Sequence, residues 1–297
     1  MLGEKVMDSK ISGVFRMAQK FGVRLRAMGQ AAAVCVALLS TVAHAQTFSV
    51  GVVPQFEPRK MFGIWQPLVD ELGKRTGNNF NLVVPLTVSE FERELEKGSY
   101  DFVYANPYHI MRVSPKQAYL PLLRDNTPLR GILVVRKDSS LQNLKDLNGK
   151  MLAVPSPNAL GASLLLRADL EHIHQVKMTM VNVKTHSSAY LNVLNGLTDA
   201  AGGVEKTFGE QDESVRHALK MIYTTRDMPS HPIAAHPRVK KDVYEKVRQS
   251  FLELATTPAG KKWLEDVPMT APVPASIDDY LSMRQWGLES YWVSGNK

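Results

Sequence analysis

Thiol chemistry is all but missing from this chain, which has one cysteine, Cys35, in 297 residues. With no second cysteine there is no internal disulfide framework and no cysteine-based metal site. Zinc-site histidine spacing is missing too. His172 with His174, and His231 with His236, lack both the separation and a clear third ligand. Neither a Gly-x-Ser-x-Gly elbow nor a P-loop occurs. The formal charge of +7 is less than it looks, because residues 1–45 hold six Lys/Arg against two Asp/Glu. The remainder carries 30 basic and 27 acidic residues, and no basic run is interleaved with aromatics, so no nucleic-acid footprint exists. No low-complexity segment interrupts it.

What is present begins with a leader. Arg24 and Arg26 precede the apolar run Ala31–Leu39, and Ala43-His44-Ala45 follows. A positive flank, a short apolar core and a small-x-small site predict a secretory signal, residues 1–45, cleaved after Ala45. The run is too short to span a bilayer. An internal methionine, Met17 or Met28, is an alternative start. The exported chain would carry no thiol, and its roughly 250 residues are enough for one or two domains with their own core.

From Thr47 the pattern alternates strand and helix. Phe48–Pro54 reads as a strand, followed by a helix with Met61, Trp65, Leu68 and Leu72 on one face, stopped at Gly77. Pro67 inside that helix predicts a kink or a later start. Phe80–Leu86 is a strand, Thr87-Val-Ser-Glu90 a capping box, Asp101–Asn106 a strand, and Pro107 a helix opening. A turn-rich crossing, Asp125–Pro128, leads to the apolar run Gly131–Val135. Strands are then expected at Met151–Val154, Met178–Val183, Ala200–Val204 and Met221–Thr225, with a crossing back at Arg226–Pro232. The tail is helical, with Val243, Val247, Phe251 and Leu254 in one stripe and a capping box at Ser276–Asp279. A Gly-x-x-Asp motif recurs at the matching place of each set, Gly98–Asp101 and Gly196–Asp199, which suggests two similarly built lobes.

The stretch Met151–Leu170 stands out. It reads as a short buried strand, a stiff loop Pro155–Asn158, and a leucine-rich helix opening near Ala159. Asn158 has N-cap chemistry, and Gly161 would let a ligand approach the backbone. A helix start presents unpaired N–H groups and a partial positive charge, which favours an anion. An ordinary strand-to-helix connection would look the same.

These landmarks, in this order, resemble the periplasmic phosphate/phosphite/phosphonate-binding family, type II solute-binding proteins of ABC importers. The residues that carry the resemblance are Val52-Val-Pro54, Trp65-Gln-Pro-Leu68, Gly98-Ser-Tyr-Asp101, Tyr104-Ala-Asn-Pro-Tyr108, Asp138-Ser139, Leu144–Lys150, His186-Ser-Ser188 and Asp279-Tyr280. The resemblance implies an α/β fold of two lobes, each a mixed, mostly parallel sheet flanked by helices, joined by two hinge crossings. It implies lobe 1 as residues 46–127 plus 231–297 and lobe 2 as residues 128–230. It further implies a monomer that closes on a small anionic solute and meets a permease subunit, with no cofactor and no metal. The family's hydroxyl-rich loop, Asp-Pro-x-Ser-Thr-Ser-Gly, is replaced here. Its hydroxyl positions fall on Ala159, Leu160 and Gly161, which leaves chiefly backbone donors. Where the family tends to place an acidic residue in the second crossing this chain has His231, which argues against an aminoalkyl ligand.

Ligands of such sheets bind beyond the carboxyl ends of the strands. That rule selects Gln55, Phe56, Tyr104, Asn106, Tyr108, the run Asn158, Ala159, Leu160 and Gly161, then His186, Glu205, Ser230 and His231. Each has an ordinary alternative: Tyr104 and Tyr108 as core aromatics, Asn106 as a helix cap, His186 as a surface histidine, Glu205 as an exposed helix start, His231 as a hinge residue. Three functions stay open. The first is an anion receptor for a transporter. The second is a sensor module for a carboxylate or sulfonate serving a signalling partner, and the third a secreted enzyme on a two-lobed scaffold.

Overall fold

The computed structural model describes residues 45–294; the expected leader, Cys35 and the alternative start sites lie outside the described residues. Strand β1 (Thr47–Val52) leads to helix α1 (Pro58–Thr76), which opens on a proline in its first turn and stops at Gly77, whose φ of 70° only glycine adopts freely. Met61, Trp65, Leu68 and Leu72 are all buried on one face of α1. The later start expected from Pro67 is not taken. Pro67 lies on the exposed side, where the carbonyl of Gly63, four residues back, can be hydrated instead of hydrogen-bonded. Next come β2 (Asn79–Val83), α2 (Val88–Glu96), β3 (Phe102–Tyr104), α3 (Pro107–Gln117) and β4 (Leu120–Asp125). Thr87 caps α2 by accepting from the Glu90 N–H at 3.1 Å, and Asn106 caps α3 by accepting from the Tyr108 N–H at 2.8 Å.

Beyond a first crossing lie β5 (Gly131–Arg136), β6 (Met151–Val154), a π-helical turn (Leu160–Leu164), α4 (Leu165–His172), β7 (Thr179–Asn182), α5 (His186–Leu194) and β8 (Ala200–Val204). Short helices α6 (Glu205–Gly209) and α7 (Glu213–Ala218) precede β9 (Leu219–Thr224). After a second crossing come β10 (Pro232–Ala235), α8 (Lys241–Leu254), α9 (Pro258–Asp266), β11 (Pro272–Pro274) and two 3-10 segments, Ile277–Gln285 and Leu288–Tyr291. No helix among the described residues is long and apolar enough to cross a membrane.

Two mixed sheets result. One has the order β11-β4-β10-β3-β1-β2, and the other β7-β6-β8-β5-β9. The first draws strands from both ends of the described chain, whereas the second uses only the middle. The two crossings pair with each other through Leu129 and Met228, whose N–H groups donate to each other's carbonyls at 2.8 and 2.9 Å. The second sheet is covered on both faces: Leu133, Leu152 and Val154 meet Leu166 and Leu170, while Ile132, Val134 and Ala153 meet Tyr190 and Val193. In the tail, Val243, Val247, Phe251 and Leu254 join the core of the first sheet. Its last part, Tyr280 to Tyr291, packs with Tyr108 and Met111 of α3 and with Leu160, Leu164 and Leu165.

The repeated Gly-x-x-Asp motif does the same work twice. Gly98 and Gly196 take left-handed φ of 72° and 69° at the end of a helix. Three residues on, Asp101 accepts from the Ser49 N–H in β1, and Asp199 from the Met151 N–H at the start of β6, both at 2.8 Å. Each carboxylate thus satisfies a backbone donor that the neighbouring parallel strand leaves free.

The π-helical turn sits directly on β5 and β8. A Cβ added at Gly202 would overlap the carbonyl oxygen of Ala162, and one at Gly131 the carbonyl oxygen of Gly161. Only glycine lets backbone lie on backbone there. Gly202→Ala is therefore expected to destabilise by roughly 1–3 kcal/mol, with the melting temperature falling about 2–4 °C for each kcal/mol. Gly209→Ala is the control, since nothing lies within 4 Å of a methyl there. Thermal melts of the two variants check this; equal melting temperatures would refute the close seat.

Candidate functional site

The loop after β6 leaves backbone donors unpaired. The Ser156 hydroxyl accepts from the Asn158 N–H at 3.2 Å, and the Ser156 carbonyl accepts from the Ala159 N–H at 3.2 Å. The Ala159 carbonyl then takes two donors, Ser163 N–H at 2.9 Å and Leu164 N–H at 3.0 Å, which widens the first turn to a π geometry. The N–H groups of Leu160, Gly161 and Ala162 have no acceptor among the described residues. All three residues line a cavity between the two sheets, with room for a water-sized sphere's centre over about 30 Å³. Free donors at the positive end of a helix, facing a void, favour an anion.

Three histidines border the same cavity: His109 on α3, His186 at the start of α5 and His231 in the second crossing. His186 is 6% exposed, and its Nδ1 has no hydrogen-bond partner. Burial holds its pKa down, at about 4. His231 keeps some surface in the crevice and stacks on Tyr104 with ring centroids 5.2 Å apart. Desolvation first, then the charges His109 and His186 would carry, depress its pKa as well. His109 is 1% exposed; its Nε2 lies 2.9 Å from Glu92 Oε1, but the two are not aligned for a hydrogen bond. No cluster of three metal-ligating side chains occurs among the described residues.

A larger chamber of about 220 Å³ adjoins the first cavity, and Gln55, Leu129, Val204 and His231 line both. It is also lined by Tyr104, Pro128, Pro268 and Lys206, whose ammonium donates to the Glu265 carbonyl at 3.2 Å.

Of the residues selected from sequence, Ala159, Leu160, Gly161, Asn106, His186 and His231 line the smaller cavity, and Tyr104, Ser230 and His231 the chamber. Four others are placed elsewhere. Asn158 is not the helix cap: its amide donates to Glu92 Oε2 at 2.9 Å and the Val293 carbonyl at 2.8 Å, and accepts from the Val293 N–H at 2.9 Å. Its own carbonyl accepts from Asn106 at 3.2 Å. Tyr108 packs in the tail cluster, with its hydroxyl on Glu289 at 3.0 Å. Phe56 belongs to the core of the first sheet, under the Lys60 ammonium. Glu205 is exposed and faces Arg130 at 3.8 Å. His109 was missed as a cavity residue. Its place one turn into a helix that starts at the carboxyl end of a strand is the signal that could have found it.

Two lobes with a crevice at the carboxyl ends of their strands are the type II periplasmic-binding-protein architecture. The family model described as "ABC transporter, phosphonate, periplasmic substrate-binding protein" matches residues 50–280, and the chain belongs to that family. It is a family of solute-binding proteins rather than of enzymes. The fold is similar to that of a binding protein component of an ABC phosphonate transporter from Pseudomonas aeruginosa (TM-score 0.76, 16% identity, 85% of this chain and 89% of that one). It is also similar to PhnD1 from Prochlorococcus marinus in complex with methylphosphonate (TM-score 0.75, 12% identity, 83% and 99%). Among curated proteins, the tetrathionate sensor histidine kinase TtrS of Salmonella typhimurium is 24% identical over 139 residues. That match takes in 44% of this chain and only 24% of the kinase's length.

The buried imidazoles give stability a defined pH dependence. Unfolded, they protonate near the usual value of about 6.5; folded, His186 and His231 stay neutral to much lower pH. As pH falls from about 6.5 toward 4, the unfolded chain takes up protons that the folded one does not, so ligand-free stability falls; above that window the contribution is intact. His186→Gln should flatten the decline, so that its melting temperature drops less than the wild type's between about pH 7 and pH 5. An identical slope in melts of the two proteins would refute a buried neutral His186.

Proposed function

We propose that this protein is an exported receptor that closes on a small oxyanion and delivers it to the permease of an ABC importer. The observation that carries the reading is the set of free N–H groups on Leu160, Gly161 and Ala162, facing a cavity that His186, His231 and Asn106 also line. Family membership supports the class of function, and the leader read from residues 1–45 supports a periplasmic location. In this reading lobe 1 is residues 46–127 plus 231–297 and lobe 2 residues 128–230, swinging as a monomer about Asn126–Arg130 and Thr225–Pro232. Closure follows from tighter binding of the ligand to the closed state. The N–H groups of Leu160, Gly161 and Ala162 hold the anion together with Asn106, His186 and His231, while Ala159 and His109 complete the lining. Phosphate, phosphite and phosphonates are the first candidates.

The kinase similarity favours a second reading, in which the same fold serves a signalling partner and takes a sulfonate or carboxylate. A thermal-shift panel separates the two. The mature protein is melted with phosphate, phosphite, methylphosphonate, sulfonates and carboxylates. A ligand at 100 times its Kd should stabilise by about 2.7 kcal/mol. Shifts with phosphorus oxyanions support the transporter reading, whereas shifts with sulfur or carbon acids alone remove the phosphonate assignment, leave a receptor for another anion and favour the sensor. No shift with any anion sinks both. Because a bound anion favours the protonated imidazoles, affinity should rise as pH falls from about 7 to 5, opposite in sign to ligand-free stability.

A further inference from the structure

The two cavities adjoin. Gln55, Leu129, Val204 and His231 line both, so the boundary between the free N–H groups and the second chamber is made of these four side chains. The second chamber, at about 220 Å³, is far larger than an inorganic oxyanion or a methyl group needs. An apolar protein cavity of about 150 Å³ is enough to hold benzene.

The chamber's exposed surface is mostly carbon. Tyr104 and His231 lie stacked with their planes 18° apart, and Pro128, Leu129, Val204 and Pro268 add apolar wall. Its most buried polar groups are already engaged. Asp125 accepts from the Thr127 N–H at 2.6 Å, the Ala271 N–H at 2.9 Å and the Thr270 hydroxyl at 3.2 Å. The Ser230 hydroxyl donates to the Asp125 carbonyl at 2.6 Å. Lys206 pairs with Glu210 at 3.3 Å and donates to the Glu265 carbonyl. A group that relied on Asp125, Ser230 or Lys206 would have to displace one of these bonds, whereas an apolar ring against Pro128, Leu129, Val204 and Pro268 would not.

We infer that the ligand is a two-part organic acid: a compact oxyanion on the N–H groups of Leu160, Gly161 and Ala162, carrying an uncharged, ring-sized substituent that fills the chamber beside Tyr104 and His231. This inference rests on the receptor reading and narrows its ligand. Burying a ring there should tighten binding roughly tenfold or more over a methyl group.

Isothermal titration of the mature protein with phosphate, methylphosphonate, 2-aminoethylphosphonate and phenylphosphonate tests it, with benzenesulfonate and benzoate as arms that vary the head. The expected result is phenylphosphonate at least about tenfold tighter than methylphosphonate, with 2-aminoethylphosphonate showing no such gain. Thr127 is exposed and borders only the chamber, so Thr127→Trp, which fills the chamber from its edge, should bring the phenyl-to-methyl ratio down toward one. A tight benzenesulfonate or benzoate with weak phosphonates keeps the substituent and changes the head, and so supports the inference. If phosphate or methylphosphonate binds and phenylphosphonate is no tighter, or if the aminoalkyl compound is the best ligand, the inference is overturned while the receptor reading stands. If none of the anions binds, the receptor reading falls, and this one with it.

Discussion

Backbone lying on backbone is the constraint from which the site follows. Gly131 and Gly202 leave no side chain between the second sheet and the turn above it, so the carbonyls of Gly161 and Ala162 come down onto β5 and β8. With those carbonyls turned to the sheet, the donors of the same turn are left toward the crevice. The Ala159 carbonyl takes two N–H groups at once, and Leu160, Gly161 and Ala162, as the first residues of the turn, have N–H groups with no intrahelical acceptor. A hydroxyl-bearing loop is not needed to present hydrogen-bond donors there. The cost is a demand for small residues on three separate elements.

The surroundings add charge response to this neutral cradle. His186 and His231 are kept neutral by burial, and His109 lies against Glu92 without a hydrogen bond. Neutral His186 and His231 add no positive charge to the cavity, and in the proposed reading an anion would compensate the desolvation of their charged rings. Glu92 in turn accepts from Asn158, so the histidine side of the cavity and the anion loop share one buried carboxylate. Losing the Asn158 bond leaves a buried polar group short of a partner, a costly state.

Much of this was legible in the chain, for local reasons. The strands Met151–Val154 and Ala200–Val204, the glycine stop at Gly77 and the proline start at Pro107 rest on periodicity and backbone preference, which neighbours in sequence determine. Gly98–Asp101 and Gly196–Asp199 were visible as letters, and their shared task became clear only with the strand N–H groups they meet. Asn158 went wrong because its partners, Glu92 and Val293, are 66 and 135 residues away. Local chemistry offered a cap, and distant chain took the amide instead. Tyr108 was drawn from the crevice by Glu289 in the same way, while Phe56 shows only that an aromatic near a strand end can equally turn inward. The π-helical turn has no sequence signature of its own, since it depends on glycines in two other strands.

The tail ties itself to both sides of the crevice. Glu289 takes Tyr108 and Arg112 from α3, while Tyr291 and Val293 take Arg167, Glu171 and Asn158 from the other side. Only a few residues of chain separate the two sets of bonds. Any wide parting of the lobes has to tear one set or stretch the strip between them, so this short ribbon works as a tether whose slack limits how far the jaws can gape.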